Sequence, residues 1–430
     1  MTDPSQNTRL VSFELINAVL KRHQTLDDVL EVLTSYNSLE QRERAFARNL
    51  ASTTLRRLGQ IDDLINYCLK SALPRRAMAV RDVLRLGVCQ LVFLRTPTHA
   101  AVNTTVNMLD EIKLGYYKKL VNAILRRLSL EADEIIKNQD VEKLNTPEWL
   151  WISWKRTYGK EACRRIAQAH LNEPPLDITA KENAEIWAHK LQAALLSTGT
   201  IRLKQTTNVK KLDGFDKGAW WVQDAAAALP VTLLGNIEGK HIIDLCAAPG
   251  GKTAQLLSRG AKVSSVERST IRLKRLKKNL ARLKMTPEFF CQDATYWTPN
   301  EKADAVLLDA PCSSTGTIRR HPDILHLKNR KDIRKLSTTQ YRLIKAALKM
   351  VKSGGRVIFC TCSLQSEEGP ELIDKILKEY PSIQLETIKP EEVCGLDELI
   401  TNQGTIRCLP YHLREQGGLD GFFIARLIAD

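Results

Sequence analysis

Across residues 11–130 apolar positions return every three or four residues, as in Leu26, Val29, Leu30 and Leu33 and again in Val80, Val83, Leu84, Val88 and Leu91. One face of a helix collects positions so spaced, which predicts an all-helical domain over residues 1–137. A polar stretch then ends at Thr146-Pro147, a break that places a linker there. Trp149, Trp151 and Trp154 open a new helical pattern, which Asn172-Glu173-Pro174-Pro175 stops just before the apolar run at 176–179. Residues 147–236 therefore read as a small α+β segment, with the tryptophans assigned to packing.

Beyond Lys240 the pattern changes. Short apolar runs at 241–246, 262–267, 288–291, 305–309 and 356–361 alternate with amphipathic stretches of helix length. That alternation predicts a doubly wound, mainly parallel sheet over 237–430, a Rossmann-like α/β domain whose ligands sit at the carboxyl ends of the strands.

Composition narrows the partners. Lys and Arg number 64 against 49 Asp and Glu, a formal charge of +15, and charge of that sign favours a polyanion, nucleic acid first. Basic pairs at Arg56-Arg57, Arg75-Arg76, Lys118-Lys119 and Arg126-Arg127 offer a phosphate-binding face, although a solvated helix surface explains any single pair better. No apolar run is long enough to span a bilayer and the first ten residues lack the blocks of a secretory signal, so a cytoplasmic protein without a membrane partner is expected. Ten cysteines without a C-x-x-C pair signal neither a metal site nor a disulfide framework. Most are expected to act as small buried hydrophobes.

The first strand of the α/β domain runs into Asp244-Leu245-Cys246-Ala247-Ala248-Pro249-Gly250-Gly251-Lys252-Thr253 and a helical stretch. Paired glycines at such a turn let backbone approach a ligand and aim helix N-terminal amides at it. A phosphate-binding P-loop is disfavoured because Cys246 stands where its first glycine belongs, and the dinucleotide fingerprint G-x-G-x-x-G is absent.

The string DLCAAPGGKT resembles the S-adenosylmethionine loop of the RNA cytosine-C5 methyltransferases. By that resemblance Cys246, Ala247, Ala248, Pro249, Gly250, Gly251 and Lys252 wrap the methionine part of the cofactor, Glu267 at the second strand end accepts from the ribose hydroxyls, and Asp293 flanks the adenine. Asp309 counts among both the cofactor-binding and the catalytic residues. The chemistry asks for a thiolate that adds to cytosine C6 and enriches C5, and then for removal of the C5 proton so that the thiol can leave. In the resembling family the cysteine of the T-C-S segment attacks and that of the P-C-S segment assists release, which implies Cys362 and Cys312; in DNA cytosine-C5 enzymes the P-C cysteine attacks instead. Asp309 is expected on the cytosine N3–N4 edge, Cys360 in the core, and Lys252 near enough to the thiols to favour a thiolate.

On the nucleic-acid side, residues 268–284 carry eight Lys or Arg and no acid, with Leu273, Leu276, Leu280 and Leu283 as the buried stripe. Arg319 and Arg320 follow the active-site loop and are expected to hold phosphates. Residues 11–130 resemble the helical module of the NusB antitermination factor, and Trp221 to Ala226 and Asp420 to Arg426 also fit a transferase fused to that module. The resemblance implies 16S ribosomal RNA as partner, not DNA, and a monomeric enzyme. Two places depart from the family pattern: Glu368-Gly369-Pro370-Glu371, expected to touch helix packing, and Asp177-Ile178-Thr179-Ala180 in the middle segment.

Overall fold

A computed structural model describes residues 4–74, 77–204 and 208–429. The chain divides into two units, one formed by Met1–Asn172 with Ile318–Lys328, the other by Glu173–Thr317 and Asn329–Asp430.

The first unit is helical. Its longer helices are Pro4–Leu20, Gln41–Arg56, Leu58–Cys68, Met78–Val88, Thr98–Glu111, Lys118–Lys137 and Glu148–His170. The predicted stripes turn inward: Leu26, Val29, Val80, Val83, Leu84, Val88 and Leu91 join one core, while Leu30 and Leu33 pack at its margin. Trp154 is wholly buried beside His170, so packing accounts for this tryptophan. The predicted middle segment is shared between the units, because Glu148–His170 belongs to the first and the strands after it to the second.

Among the described basic pairs, Arg56 does not belong to an exposed face. Arg56 is buried and donates to the carbonyls of His170, Asn172 and Arg319 at 3.1, 3.4 and 2.7 Å. Lys118 pairs with Asp110 and Arg127 with Glu131. Arg75-Arg76 lies outside the described residues. Arg319 is 2% exposed, which corrects the expectation that it holds phosphate; its backbone is instead tied into the helical unit through Arg56.

The second unit opens with a small antiparallel sheet of β1 (Leu176–Ala180), β2 (Ala194–Leu195), β3 (Ile201–Leu203) and β4 (Trp220–Val222), in the order β2-β3-β1-β4. Asp177, at the departure in the middle segment, is a buried partner of Arg202, which meets both carboxylate oxygens at 2.7 Å. The large sheet comprises β5 (His241–Leu245), β6 (Lys262–Val266), β7 (Glu288–Phe290), β8 (Ala303–Asp309), β9 (Val351–Thr361), β10 (Gln384–Leu385), β11 (Ile406–Cys408) and β12 (Phe422–Ile428). Its order is β10-β12-β9-β8-β5-β6-β7, with β11 also on β12. The five strands from β7 to β9 run parallel, and β10, β11 and β12 complete the sheet antiparallel. The chain order reverses between β5 and β8, and the crevice outside their carboxyl ends is where such sheets bind ligands.

Replacing Arg56 by Met takes the donor from two buried carbonyl bonds, to His170 and Arg319, and from a part-buried one to Asn172, and an unsatisfied buried acceptor costs about 1–3 kcal/mol. Arg56→Met is expected to lower the stability of the helical unit by about 2–3 kcal/mol, read by urea denaturation with hydrogen exchange reporting on Gln41–Arg56.

Candidate active site

The candidate cofactor loop leaves β5 through two left-handed residues, Cys246 at φ 61° and Gly250 at φ 109°, and enters the helix Gly251–Ser258. Gly250 is required there twice over: its φ disfavours any side chain, and a Cβ would stand 2.6 Å from Leu276 Cδ1. Leu276 lies on the helix Thr270–Arg282, whose buried stripe is Leu273, Leu276 and Leu280. The same helix secures the loop backbone, with Arg272 donating to the Ala248 carbonyl at 2.7 Å and Asn279 to that of Pro249 at 2.9 Å. Of the eight basic residues in 268–284, Arg282 turns inward over the Phe215 ring and donates to the Phe215 and Trp220 carbonyls; the other seven are exposed.

Glu267 follows β6 and is 2% exposed. Its Oε1 accepts from the Ser269 amide at 3.0 Å, while Oε2 is buried with no hydrogen-bond donor, Arg272 Nη1 standing 3.5 Å away. A buried acceptor left open is costly, and a ribose hydroxyl is a donor of the kind it lacks. Asp293, after β7, accepts at Oδ1 from the Thr295 hydroxyl and amide, which hold its carboxyl below the usual range. Gly250 and the buried acceptor of Glu267 fit S-adenosylmethionine.

Asp309 closes β8. Its Oδ2 accepts from Lys252 Nζ at 2.7 Å, and its Oδ1 lies 3.6 Å from the Cys360 sulfur. Burial opposes the charge on Lys252, but Asp309 beside it outweighs that and holds the ammonium above its ordinary range. Lys252 also lies 5.1 Å from the centre of the Phe422 ring. Parallel pairing of Asp309 with Cys360 sets the ends of β8 and β9 level, and the two loops continue side by side: Gly316 donates to the Cys362 carbonyl at 2.9 Å and accepts from Gly421 at 2.8 Å. A Cβ on Gly316 would overlap the Gly421 carbonyl at 1.9 Å.

Cys312 and Cys362 come together here, Sγ to Sγ 3.4 Å, both half-buried. The hydrogen bond with Cys362, burial and the Glu368 charge push the Cys312 thiol well above its usual range. Cys360 is fully buried and likewise raised by burial. Thus Lys252, Asp309, Cys312 and Cys362 form one cluster, with the loop and Glu267 on the adjacent strands β5 and β6 and Asp293 after β7. Glu368, in the segment expected to touch helix packing, does so through Gln340 on the helix Arg330–Met350, and it also lies buried between the two cysteine loops, bonded to Ser313 and Ser363. Four acids within the stretch 367–374 gave no sign of which one turns inward.

A family model described as 16S rRNA methyltransferase RsmB/F matches residues 231–428, and one described as the NusB family matches residues 6–129. Ribosomal RNA small subunit methyltransferase B of Cronobacter sakazakii is 31% identical, with 99% of each chain aligned, and that of Shigella flexneri is 32% identical over 98% of this chain and 99% of its own. The chain belongs to the ribosomal RNA small subunit methyltransferase B family. S-adenosylmethionine is the family's cofactor, and the fold is the expected one, a NusB-like helical domain joined to a Rossmann-like methyltransferase domain. The crystal structure of PH0851 superposes with a TM-score of 0.77 at 22% identity, covering 100% of this chain and 99% of its own. Among the described residues no helix is long and apolar enough to cross a membrane, and no group of three or more His, Cys, Asp or Glu side chains is placed to hold a metal ion.

Asp244, on β5 beneath the candidate cofactor loop, is fully buried and accepts from the Thr253 hydroxyl at 2.5 Å. Burial raises its carboxyl to about 7. The folded chain then holds this proton more tightly than the unfolded chain, so the stability it contributes is intact below the ordinary carboxyl range, declines as pH rises, and levels off above about 7. Asp244→Asn is expected to flatten that decline, measured as Tm against pH from 4 to 8.

Proposed function

We propose that the chain transfers a methyl group to C5 of a cytosine in 16S ribosomal RNA, with Cys362 as nucleophile and Cys312 assisting release. The observation that carries this reading is the pair of sulfur atoms 3.4 Å apart beside the Lys252–Asp309 ion pair. One thiol would suffice for a simple addition, and cytosine C5 chemistry uses two groups, one to add at C6 and one to help undo that addition.

When bound, S-adenosylmethionine supplies an electrophilic methyl group. Gly250 and Gly251 give its methionine part close access to backbone, Glu267 offers the buried oxygen to the ribose and Asp293 borders the adenine, with Cys246, Ala247, Ala248, Pro249 and Lys252 completing the loop. Cys362 Sγ bonds to C6 of the cytosine and so raises electron density at C5. Asp309 accepts from the exocyclic amino group and fixes the ring, and Lys252 supplies positive charge as the ring gains electron density. Once C5 carries its methyl group, the C5 proton passes to solvent water, its C–H electron pair re-forms the C5–C6 double bond, and the C6–S pair leaves on Cys362 as a thiolate that accepts from the neighbouring Cys312 thiol. Cys312 enters this sequence protonated, in keeping with its raised thiol.

A cytosine reaches such a site only unpaired or flipped out of a helix. The exposed basic residues of 268–284 can track the phosphates on either side, and the fused NusB-like domain supports ribosomal over transfer RNA. The curated relatives carry the small-subunit substrate in their name, and a cytoplasmic monomer acting without DNA or membrane is consistent with it.

Methylation of 16S RNA with labelled cofactor, scored with protein–RNA adduct on 5-fluorocytosine RNA, tests the assignment. Cys362→Ala is expected to lose both signals, activity by about 1,000-fold or more, whereas Cys312→Ala accumulates adduct. Adduct lost only in Cys312→Ala reverses the two roles, and wild type that labels no RNA overturns the reading.

A further inference from the structure

We infer that Glu368 is a positioning residue for the cysteine pair, a single buried carboxylate that holds the Cys312 and Cys362 loops at working separation by binding the serine next to each cysteine. The inference rests on the two-cysteine reading above and adds a residue to it.

Glu368 is 0% exposed. Its Oε1 accepts from the Ser313 amide at 2.9 Å and from Gln340 Nε2 at 3.0 Å; its Oε2 accepts from the hydroxyls of Ser313 and Ser363, both at 2.5 Å. Ser313 follows Cys312 and Ser363 follows Cys362, so one oxygen atom bridges the two loops one residue from each sulfur. The serine hydroxyls also lie 3.0 Å from each other, and Thr315 Oγ1 accepts from the Leu364 amide. Thr361, at the end of β9, donates to the Glu368 carbonyl at 3.1 Å. Gln340, on the helix Arg330–Met350, gives the carboxylate a fixed point outside both loops.

Energetics explain why a charged group would be kept there. A buried carboxylate is expensive unless its oxygens are satisfied, and here burial pushes the carboxyl up while donors from Ser313, Ser363 and Gln340 act against it. Taking either serine away breaks a charge-assisted hydrogen bond, stronger than a neutral one. The loops are thus tied by the bonds that make the charge tolerable. A shift of about 1 Å at reacting groups can cost about 100-fold in rate, so the tie matters to chemistry more than to overall stability.

The test uses the full chain and two readouts. Phenylarsine oxide bridges two adjacent thiols through arsenic, losing its oxygen as one water; protection of Cys312 and Cys362 from alkylation, mapped by mass spectrometry, reports their separation without any turnover. Glu368→Ala is expected to slow this bridging about tenfold and to lower kcat about 100-fold, with KM for cofactor within about threefold of wild type. Glu368→Gln keeps one acceptor and lets the hydroxyls reverse, and is expected to recover most of both. Should Glu368→Ala fail to fold, the Ser313→Ala/Ser363→Ala double variant removes the hydroxyl donors instead and is expected to behave like it. Bridging and kcat at wild-type levels in a folded Glu368→Ala or double-serine variant overturn the inference, as does a loss of kcat with bridging unchanged. If wild type bridges arsenic yet methylates no RNA, the substrate reading has failed and the bridging comparison alone decides the role of Glu368.

Discussion

Two sulfur atoms fifty residues apart in sequence are held 3.4 Å from each other, each on a loop hanging from the end of a different strand. Loops alone do not keep such a distance. The parallel register of β8 and β9 brings the strand ends level, backbone hydrogen bonds from Gly316 to the Cys362 carbonyl and from Gly421 to Gly316 carry the alignment outward, and a buried carboxylate stands between the loops. Sheet geometry thus supplies coarse placement, and polar groups that must be satisfied supply the fine adjustment.

Charge is handled with similar economy. The helix Thr270–Arg282 packs its leucines on Trp221, Ala247, Ala248 and Ala254 and uses Arg272 and Asn279 to fix the candidate cofactor loop, while its lysines and Arg275 face solvent. One element therefore shapes the loop and presents positive charge. Lys252, half-buried in the cluster, holds its charge beside Asp309, whose carboxylate is itself partly exposed.

Much of this was legible in the sequence because period and spacing encode it. The leucine and valine stripes of the helical domain, the strand-length apolar runs of the α/β domain and the string from Asp244 to Thr253 each depend on local pattern, and each appears where expected. The burial of Arg319 and the place of Glu368 between the cysteine loops were missed for a common reason: both are charged residues that fold inward, and whether a charge is solvated or buried with partners depends on residues distant in sequence. Arg56 binds the Arg319 carbonyl across 263 positions, and Ser313 binds Glu368 across 55. No periodicity within a window of ten or twenty residues carries that information. The partition of the middle stretch was hidden likewise, since a helix and the strands after it reveal nothing in composition about which core each will join.

The segment Ile318–Lys328 is the feature with the longest reach. It lies within the transferase sequence but belongs to the helical unit, so the chain crosses between units three times and no single cut separates them. A growing polypeptide makes Met1–Asn172 first and cannot complete that unit until roughly 150 residues more have been added, which at ribosomal speeds is roughly 8–30 s. During that interval the Arg56 guanidinium waits for the Arg319 carbonyl it will bind. Birth order and folding order therefore differ in this protein: the domain that is translated first is finished only when most of its successor has been made.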